Sequence, residues 1–471
     1  MTDTVSPPRP VVRRRDTGIP VVVAQIGGAL LALAVLTGLG QRTTVVVLGT
    51  LAVVGLVLAA TGRFQTFLLT LIVVRASLDV SDQTVGDASL MKPASLVALM
   101  MIGVSSVWLW LNRHQRPARR ITSVTVGLVA FTIVAALSVL RLDEPQIVAG
   151  DVLALVAGTL MFLCVERLFD LGMPVRRLVT ALVAAAVVPL LLPLVGPLVG
   201  VETTHLKEGE IALRSTFVLS NNFAQFLVPI ILLAIAVGHR MRGGRRWLLY
   251  GVALLGSIEL VLTLTRGAWI GLAIGVVTVG LVENRRIIVG GLLIAVVAFV
   301  AVPNVRERIA NVTPGPDAPR QESSLQWRLD HWAEIIPWNE DNQLTGIGFG
   351  MVRQLDENLK APHNDYVKAY VETGWLGLIA FLTLIVGFVR AAWISRRRVR
   401  SGWQGGLANG VFAYAIAYVV ISASENLISG IALLWYAMPL IALANWTATH
   451  APRSETALTV VPSDDPVSAW E

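Results

Sequence analysis

Apolar runs constrain the fold of this chain more than any other feature. They recur from residue 19 to residue 446, each about 17–24 residues long, the length that crosses roughly 30 Å of hydrocarbon as helix. Inside a bilayer every backbone N–H and C=O must be satisfied by the protein itself, so only helices and closed barrels can span it. Neither alternating strands nor heptads occur, which argues against a barrel or a coiled coil. With 55% hydrophobic and 15% charged residues among 471, the expectation is an all-α polytopic membrane bundle. A mean hydropathy of +0.68 agrees.

Fourteen candidate spans are read, near 19–39, 44–61, 64–78, 93–111, 121–140, 150–168, 177–200, 220–238, 247–265, 267–282, 286–303, 366–392, 405–424 and 428–446. The third is short, and only Thr265-Arg266-Gly267 parts the ninth from the tenth, so about 12–14 is the range. The net charge of +7 encodes topology rather than affinity for nucleic acid, because the basic residues gather in short loops and termini. With Arg13, Arg14 and Arg15 in the cytoplasm, the basic loops 113–120, 167–177, 239–246, 283–286 and 390–400 all fall on that side. The acidic or mixed loops 79–92, 141–151 and 201–214 then fall on the other, with the long polar loop. Both termini are expected in the cytoplasm of a multi-pass cell-membrane protein. The N-terminus lacks a cleavage pattern and reads as a retained first helix. Cys164 is the one cysteine and lies in an apolar run, so no intramolecular disulfide or CxxC metal site can form.

The division that follows is a cytoplasmic tail over 1–18, eleven spans over 19–303, one large extracytoplasmic loop over 304–365, further spans over 366–446, and a disordered cytoplasmic tail over 447–471. No internal repeat is evident. In the large loop, residues 311–320 read as a Pro- and Gly-rich turn, and 323–336 as an amphipathic helix with Ser323 or Ser324 as N-cap. Leu325, Leu329, Trp332 and Ile336 would share its apolar face, with Arg328 at the edge, so that it lies on the membrane surface or caps the bundle. Gly346-Ile347-Gly348-Phe349-Gly350 follows no strand and opens no helix of a βαβ unit; it reads as a turn, not a nucleotide fingerprint.

Four groups converge on the outer side under this topology: Arg214 with Asn221 and Asn222, Arg266, Arg328, and His363 with Asn364. Guanidinium forks bind phosphate oxygens in bidentate fashion and stay charged at any relevant pH, so three arginines around one histidine suit a diphosphate. Charge developing on a diphosphate leaving group would be stabilised there, and a histidine can take a proton from an attacking hydroxyl. The alternative reading of each arginine is a snorkelling anchor at the membrane edge. Arg75, near the end of the third span, is an ionisable group within a span and hence a functional candidate. Glu425, at the end of the thirteenth, is either a second base or a helix-end residue.

The pattern His363-Asn364, nine residues, then Gly374-Trp375-Leu376-Gly377 resembles the signature of the O-antigen ligase and polymerase superfamily. Arg328 with Trp332, the Gly346–Gly350 turn and Thr265-Arg266-Gly267-Ala268-Trp269 are similar too, so the resemblance covers roughly residues 210–390. In many members a proline precedes the asparagine of the segment before the eighth span; here Ser220 or Asn221 stands in that place. The resemblance implies a GT-C-like, inverting, metal-independent glycosyltransferase without cofactors. Its donor would be a glycan on a polyprenyl diphosphate, and its acceptor a glycan, a lipid or a protein. Arg266 and Arg328 would hold the diphosphate and His363 would activate or orient the acceptor hydroxyl. Arg214, Asn222, Asn364, Trp332, Arg75 and Glu425 are the further substrate-binding candidates. The rival class is a transporter or flippase of a lipid-linked glycan, which usually shows related halves and a binding site near the midplane.

Overall fold

The computed structural model describes residues 63–78, 93–114, 121–207, 209–303, 306, 325–355 and 360–450. The expected spans near 19–39 and 44–61, the 311–320 turn, the Ser323/Ser324 cap and both tails lie outside the described residues.

The other twelve expected spans coincide with helices. Nine precede the large loop: α1 (Phe64–Leu78), α2 (Pro93–Leu111), α3 (Ser123–Val139), α4 (Ala149–Asp170), α5 (Val175–Val195), α6 (Ser220–Arg240), α7 (Gly243–Leu262), α8 (Arg266–Val282) and α9 (Arg286–Ala301). Two short helices lie in the loop, α10 (Leu325–Ile335) and α11 (Met351–Leu355), and three follow it: α12 (Asp365–Arg398), α13 (Gly402–Ser422) and α14 (Ile431–His450). Among them α4, α5, α6, α12 and α13 are long and apolar enough to cross a membrane, and α1, α2, α3, α8 and α9 are shorter apolar helices. The fold is an all-α membrane bundle with one addition the sequence reading did not foresee. A hairpin of β1 (Thr204–Lys207) and β2 (Glu210–Leu213) joins α5 to α6, with Lys207 opposite Glu210 and a glycine, Gly209, at φ +83° in its turn.

Lipid tails are as apolar as leucine, so membrane helices associate through close packing of small residues rather than through the hydrophobic effect. The α3–α12 pair follows that rule. A Cβ on Gly127 would strike the backbone of Ala380 and Leu384, and one on Gly387 would strike Val124. At the α6–α13 contact Gly406 and Gly410 approach Ala236 and Leu233 in the same way. α9 buries none of its residues in the protein, as a helix facing lipid would. Cys164 is fully buried in α4.

The loops separate into two groups by the contacts they make. At one end Arg141 donates to the carbonyls of Thr345 and Gly346 (3.2 and 3.0 Å), and the Thr216 hydroxyl to Ala76 (2.6 Å). Also at this end, Ser215 donates to the Pro189 carbonyl at 2.6 Å. That carbonyl lacks its helical partner because Pro193, four residues on, has no N–H. At the other end Arg167 donates to the Asn112 carbonyl (3.0 Å) and Arg177 to Gln65 (3.0 Å). Buried Glu283 there takes Arg240 (2.6 Å) and Asn409 (2.7 Å). The basic joins thus meet each other, and so do the mixed ones.

α12 is two helices. Gly374 (φ +65°, ψ −167°) breaks it, which parts the Val371 and Glu372 carbonyls from the amides of Trp375 and Leu376, their partners in an unbroken helix. The loop repairs all four groups. Ile347 and Gly348 donate to Val371 and Glu372 (3.0 and 2.9 Å), while Trp375 and Leu376 donate to Gln343 and Leu344 (2.8 and 3.2 Å). Two chain segments have in effect exchanged one helical turn. Side chains at Gly346 or Gly374 would collide with the opposing backbone, which explains both glycines. The buried Glu372 carboxylate then accepts Gly350 N at 2.7 Å and pairs with Lys368 at 2.6 Å.

Candidate functional site

At the end of the bundle where the large loop sits, a cavity of about 240 Å³ opens between α6, α8, α10, the hairpin and the α13–α14 turn. Its ionisable walls are Lys207, Arg266, Arg328, His363, His205 and Glu425, and Asn221, Ser220, Thr265, Leu219 and Leu264 complete it.

Each element delivers its group by a local device. Arg266 is the first residue of α8, and the turn before it places Leu264 at φ +54°, a left-handed conformation unusual for a side chain of that size. Thr265, the N-cap, does not cap α8 with its side chain; its hydroxyl donates to Asn221 Oδ1 at 3.1 Å instead. His363 is also left-handed, at φ +50°, immediately before Asn364, whose Oδ1 caps α12 by accepting from Tyr366 N (2.9 Å) and Val367 N (3.2 Å). Strained backbone of this kind collects at functional sites, where the surroundings over-determine it. Here Trp332 fixes the residue before His363 by donating Nε1 to the Pro362 carbonyl at 2.7 Å. Trp327 stands edge-on to the His363 ring at 6.4 Å.

α10 caps the cavity with the side that carries Arg328, and most of its apolar stripe is exposed. His331 and Ile335 are its buried residues, and Arg328 lies one turn before them, whereas Leu325, Leu329 and Ile336 are exposed. The helix ends at Ile335, where Ile336 opens a 3-10 segment with Pro337. Arg328 Nη1 donates to the Ser424 carbonyl at 2.6 Å, which ties the cap to the α13–α14 turn.

That turn carries Glu425, which is 3% exposed and sits among cavity side chains. Asn221 Nδ2 and Gln225 Nε2 both donate to its Oε2 at 3.2 Å. His363 Nδ1 lies 3.9 Å from the same oxygen and Arg328 Nη2 lies 4.0 Å from Oε1, ion-pair rather than hydrogen-bond distances. Burial by itself would raise the Glu425 carboxyl, but the adjacent His363, then Arg328 and Lys207, outweigh it and hold the group below the usual carboxylate range. Asp365 anchors the turn from the α12 side by accepting from Leu427 N (3.1 Å) and Ile428 N (3.3 Å).

Of the sequence candidates, His363, Arg266, Arg328 and Glu425 line one cavity, with Asn221 from the segment before the eighth span. The others do not line it. Asn364 caps α12 and Trp332 clamps the chain before His363. Arg214 follows the hairpin and lies 3.7 Å from Glu202. Arg75 is fully buried in α1, outside the lining. Asn222 stays off the wall, where its neighbour Asn221 stands. Sequence reasoning passed over Lys207 and His205 as part of a mixed loop. The alternation of His205, Leu206 and Lys207 before a glycine turn was the available signal for a hairpin with one face inward.

The cavity holds three permanent cations against one carboxylate, and it places a histidine beside them. This arrangement can bind a dianion and accept a proton from a neighbouring hydroxyl. No curated protein matches the chain. Residues 251–382 match the model of the O-antigen ligase family. Arg266, Arg328 and His363 lie within that segment, whereas Lys207, Asn221 and Glu425 complete the cavity from outside it. Over this segment, less than a third of its length, the chain is similar to the O-antigen ligase family, and its long apolar helices are those of an integral membrane protein.

Proposed function

We propose that the protein transfers a glycan from a polyprenyl diphosphate to an acceptor hydroxyl during assembly of a cell-surface polysaccharide. The observation that carries this reading is the gathering of Lys207, Arg266 and Arg328 with the His363–Glu425 pair in one cavity at the end of a membrane bundle.

The step is an in-line displacement at the anomeric carbon. The acceptor oxygen forms its bond to that carbon from the face opposite the diphosphate, and the bond from carbon to diphosphate oxygen breaks with its electron pair. Configuration inverts. Arg266 and Arg328 stabilise the charge that gathers on the departing diphosphate, the role that cations and fixed donors fill best when aimed in advance. His363 takes the hydroxyl proton through one ring nitrogen, and the anionic Glu425 beside its Nδ1 stabilises the imidazolium that results. The arginines supply the positive charge, so the proposal includes independence from divalent metal. The basic loops meet at the end opposite the cavity, which supports a cavity facing out of the cell, with both termini and the other end in the cytoplasm. The acceptor hydroxyl belongs to another glycan, a lipid or a protein. A flippase reading gains nothing from the geometry, since among the described residues this charged cavity lies at one end of the bundle rather than at its midplane.

The test is turnover of a polyprenyl-diphosphate oligosaccharide by the purified protein. Removing Arg266 or Arg328 should cost kcat about 10²–10³-fold, as loss of one oxyanion-type donor does. His363→Ala should cost about 10²–10⁴-fold. Turnover should survive EDTA. Normal product from all three variants would overturn the assignment.

A further inference from the structure

Lys207 enters the cavity wall from the hairpin, and its ammonium is placed unlike either arginine. It donates to Asn221 Oδ1 at 2.6 Å and lies 3.2 Å from Thr265 Oγ1, 3.3 Å from the Leu264 carbonyl and 3.4 Å from that of Thr263. Three of these four oxygens belong to the turn that ends in Arg266. The turn holds the left-handed Leu264, and its two carbonyls converge on one point, where a compact ammonium fits better than a planar fork. Asn221 uses its other end to donate to Glu425, so the same lysine is one hydrogen-bonded residue removed from the carboxylate beside His363.

We propose that Lys207 is a positioning residue of the donor site, and that the hairpin exists in part to deliver it. Its ammonium gathers the Thr263 and Leu264 carbonyls, holds the turn in its strained form, and so presents Arg266 to the diphosphate of the donor. The proposal rests on the reading of the cavity given above and adds a residue outside the matched family segment. Because Lys207 acts through Arg266, its removal has little further effect once Arg266 is gone. Because it holds a left-handed residue, glycine at position 264 relieves the need for it, since glycine adopts that conformation without strain.

The experiment is equilibrium binding of polyprenyl diphosphate to the detergent-solubilised full chain, which reads the donor site without requiring turnover. Lys207→Met and Arg266→Ala should each weaken binding about tenfold or more, and the double variant should bind no more weakly than Arg266→Ala alone. Leu264→Gly, added to Lys207→Met, should restore most of the lost affinity. Lys207→Arg should keep the charge yet recover only part of the binding. Wild-type affinity in Lys207→Met, or losses that multiply independently in the double variant, would overturn the proposal. A wild-type protein that fails to bind polyprenyl diphosphate would overturn the donor reading itself, and the role of Lys207 with it.

Discussion

One glycine and one histidine at the cavity have effects that can be worked out from their surroundings. Gly267, the second residue of α8, faces the α13–α14 turn so closely that a Cβ would lie 2.5 Å from Ser424 Oγ and 3.1 Å from Glu425 Oε1. Gly267→Ala should therefore displace the carboxylate and lower kcat on the order of tenfold to a hundredfold, with thermal stability nearly unchanged, when turnover and unfolding are measured side by side. His205 is held below the ordinary histidine value first by burial, then by the positive charges of Arg214 and Lys207. A depressed pKa means that the unfolded chain takes the proton first. Stability present above pH about 6.5 is thus lost as pH falls from there toward the folded value, and is not lost further below it. A series of unfolding temperatures between pH 8 and 5 should show that decline in the wild type and a flatter profile in His205→Gln. Of the sequence candidates on the cavity wall, Arg266 and His363 were legible because each is a polar residue at the edge of an apolar run, and Arg328 because it borders the apolar stripe of the loop helix. Lys207 was not, because its importance depends on where a four-residue strand points.

At the scale of elements, the signature His363-Asn364-x9-Gly374-x-x-Gly377 divides into one residue that faces the cavity and three that build the frame. Asn364 caps α12, Gly374 breaks it, and Gly377 leaves room for Thr373, whose side chain a Cβ would overrun. Gly374→Ala must hold an unfavourable backbone and press a methyl group on the Leu344 carbonyl. It should cost about 1–3 kcal/mol or more in unfolding free energy. Gly346→Ala should do similar damage, and the two together should be less than additive, because either alone disrupts the same exchanged turn. The helices were readable from the length of their apolar runs, and the ends moved by only a few residues. The exchanged turn was not readable, since it is a tertiary pairing between segments about thirty residues apart. The sequence left open which way α10 faces: Leu325 and Leu329 of its apolar stripe are exposed in the structure, while His331 is buried and Arg328 lines the cavity.

For the whole molecule, the two ends carry separate duties. Glu283 clasps Arg240 and Asn409 far from the cavity, so Glu283→Ala should lower unfolding stability by about 1–3 kcal/mol while leaving the KM for donor unchanged. Charge alternation along the sequence anticipated which loops would meet, because short basic joins resist translocation and so sort themselves to one side. The bundle's fully buried Cys164 has a practical consequence for that sidedness. It is the chain's one thiol, and its burial shields it from water-soluble maleimides while the fold is intact. A cysteine placed at exposed Asp341, in the large loop, or at exposed Arg242, in a basic join at the opposite end, would then be the sole reactive handle in an otherwise native protein. On intact cells an impermeant maleimide should label the first and spare the second until the membrane is opened; the reverse pattern would turn the molecule over.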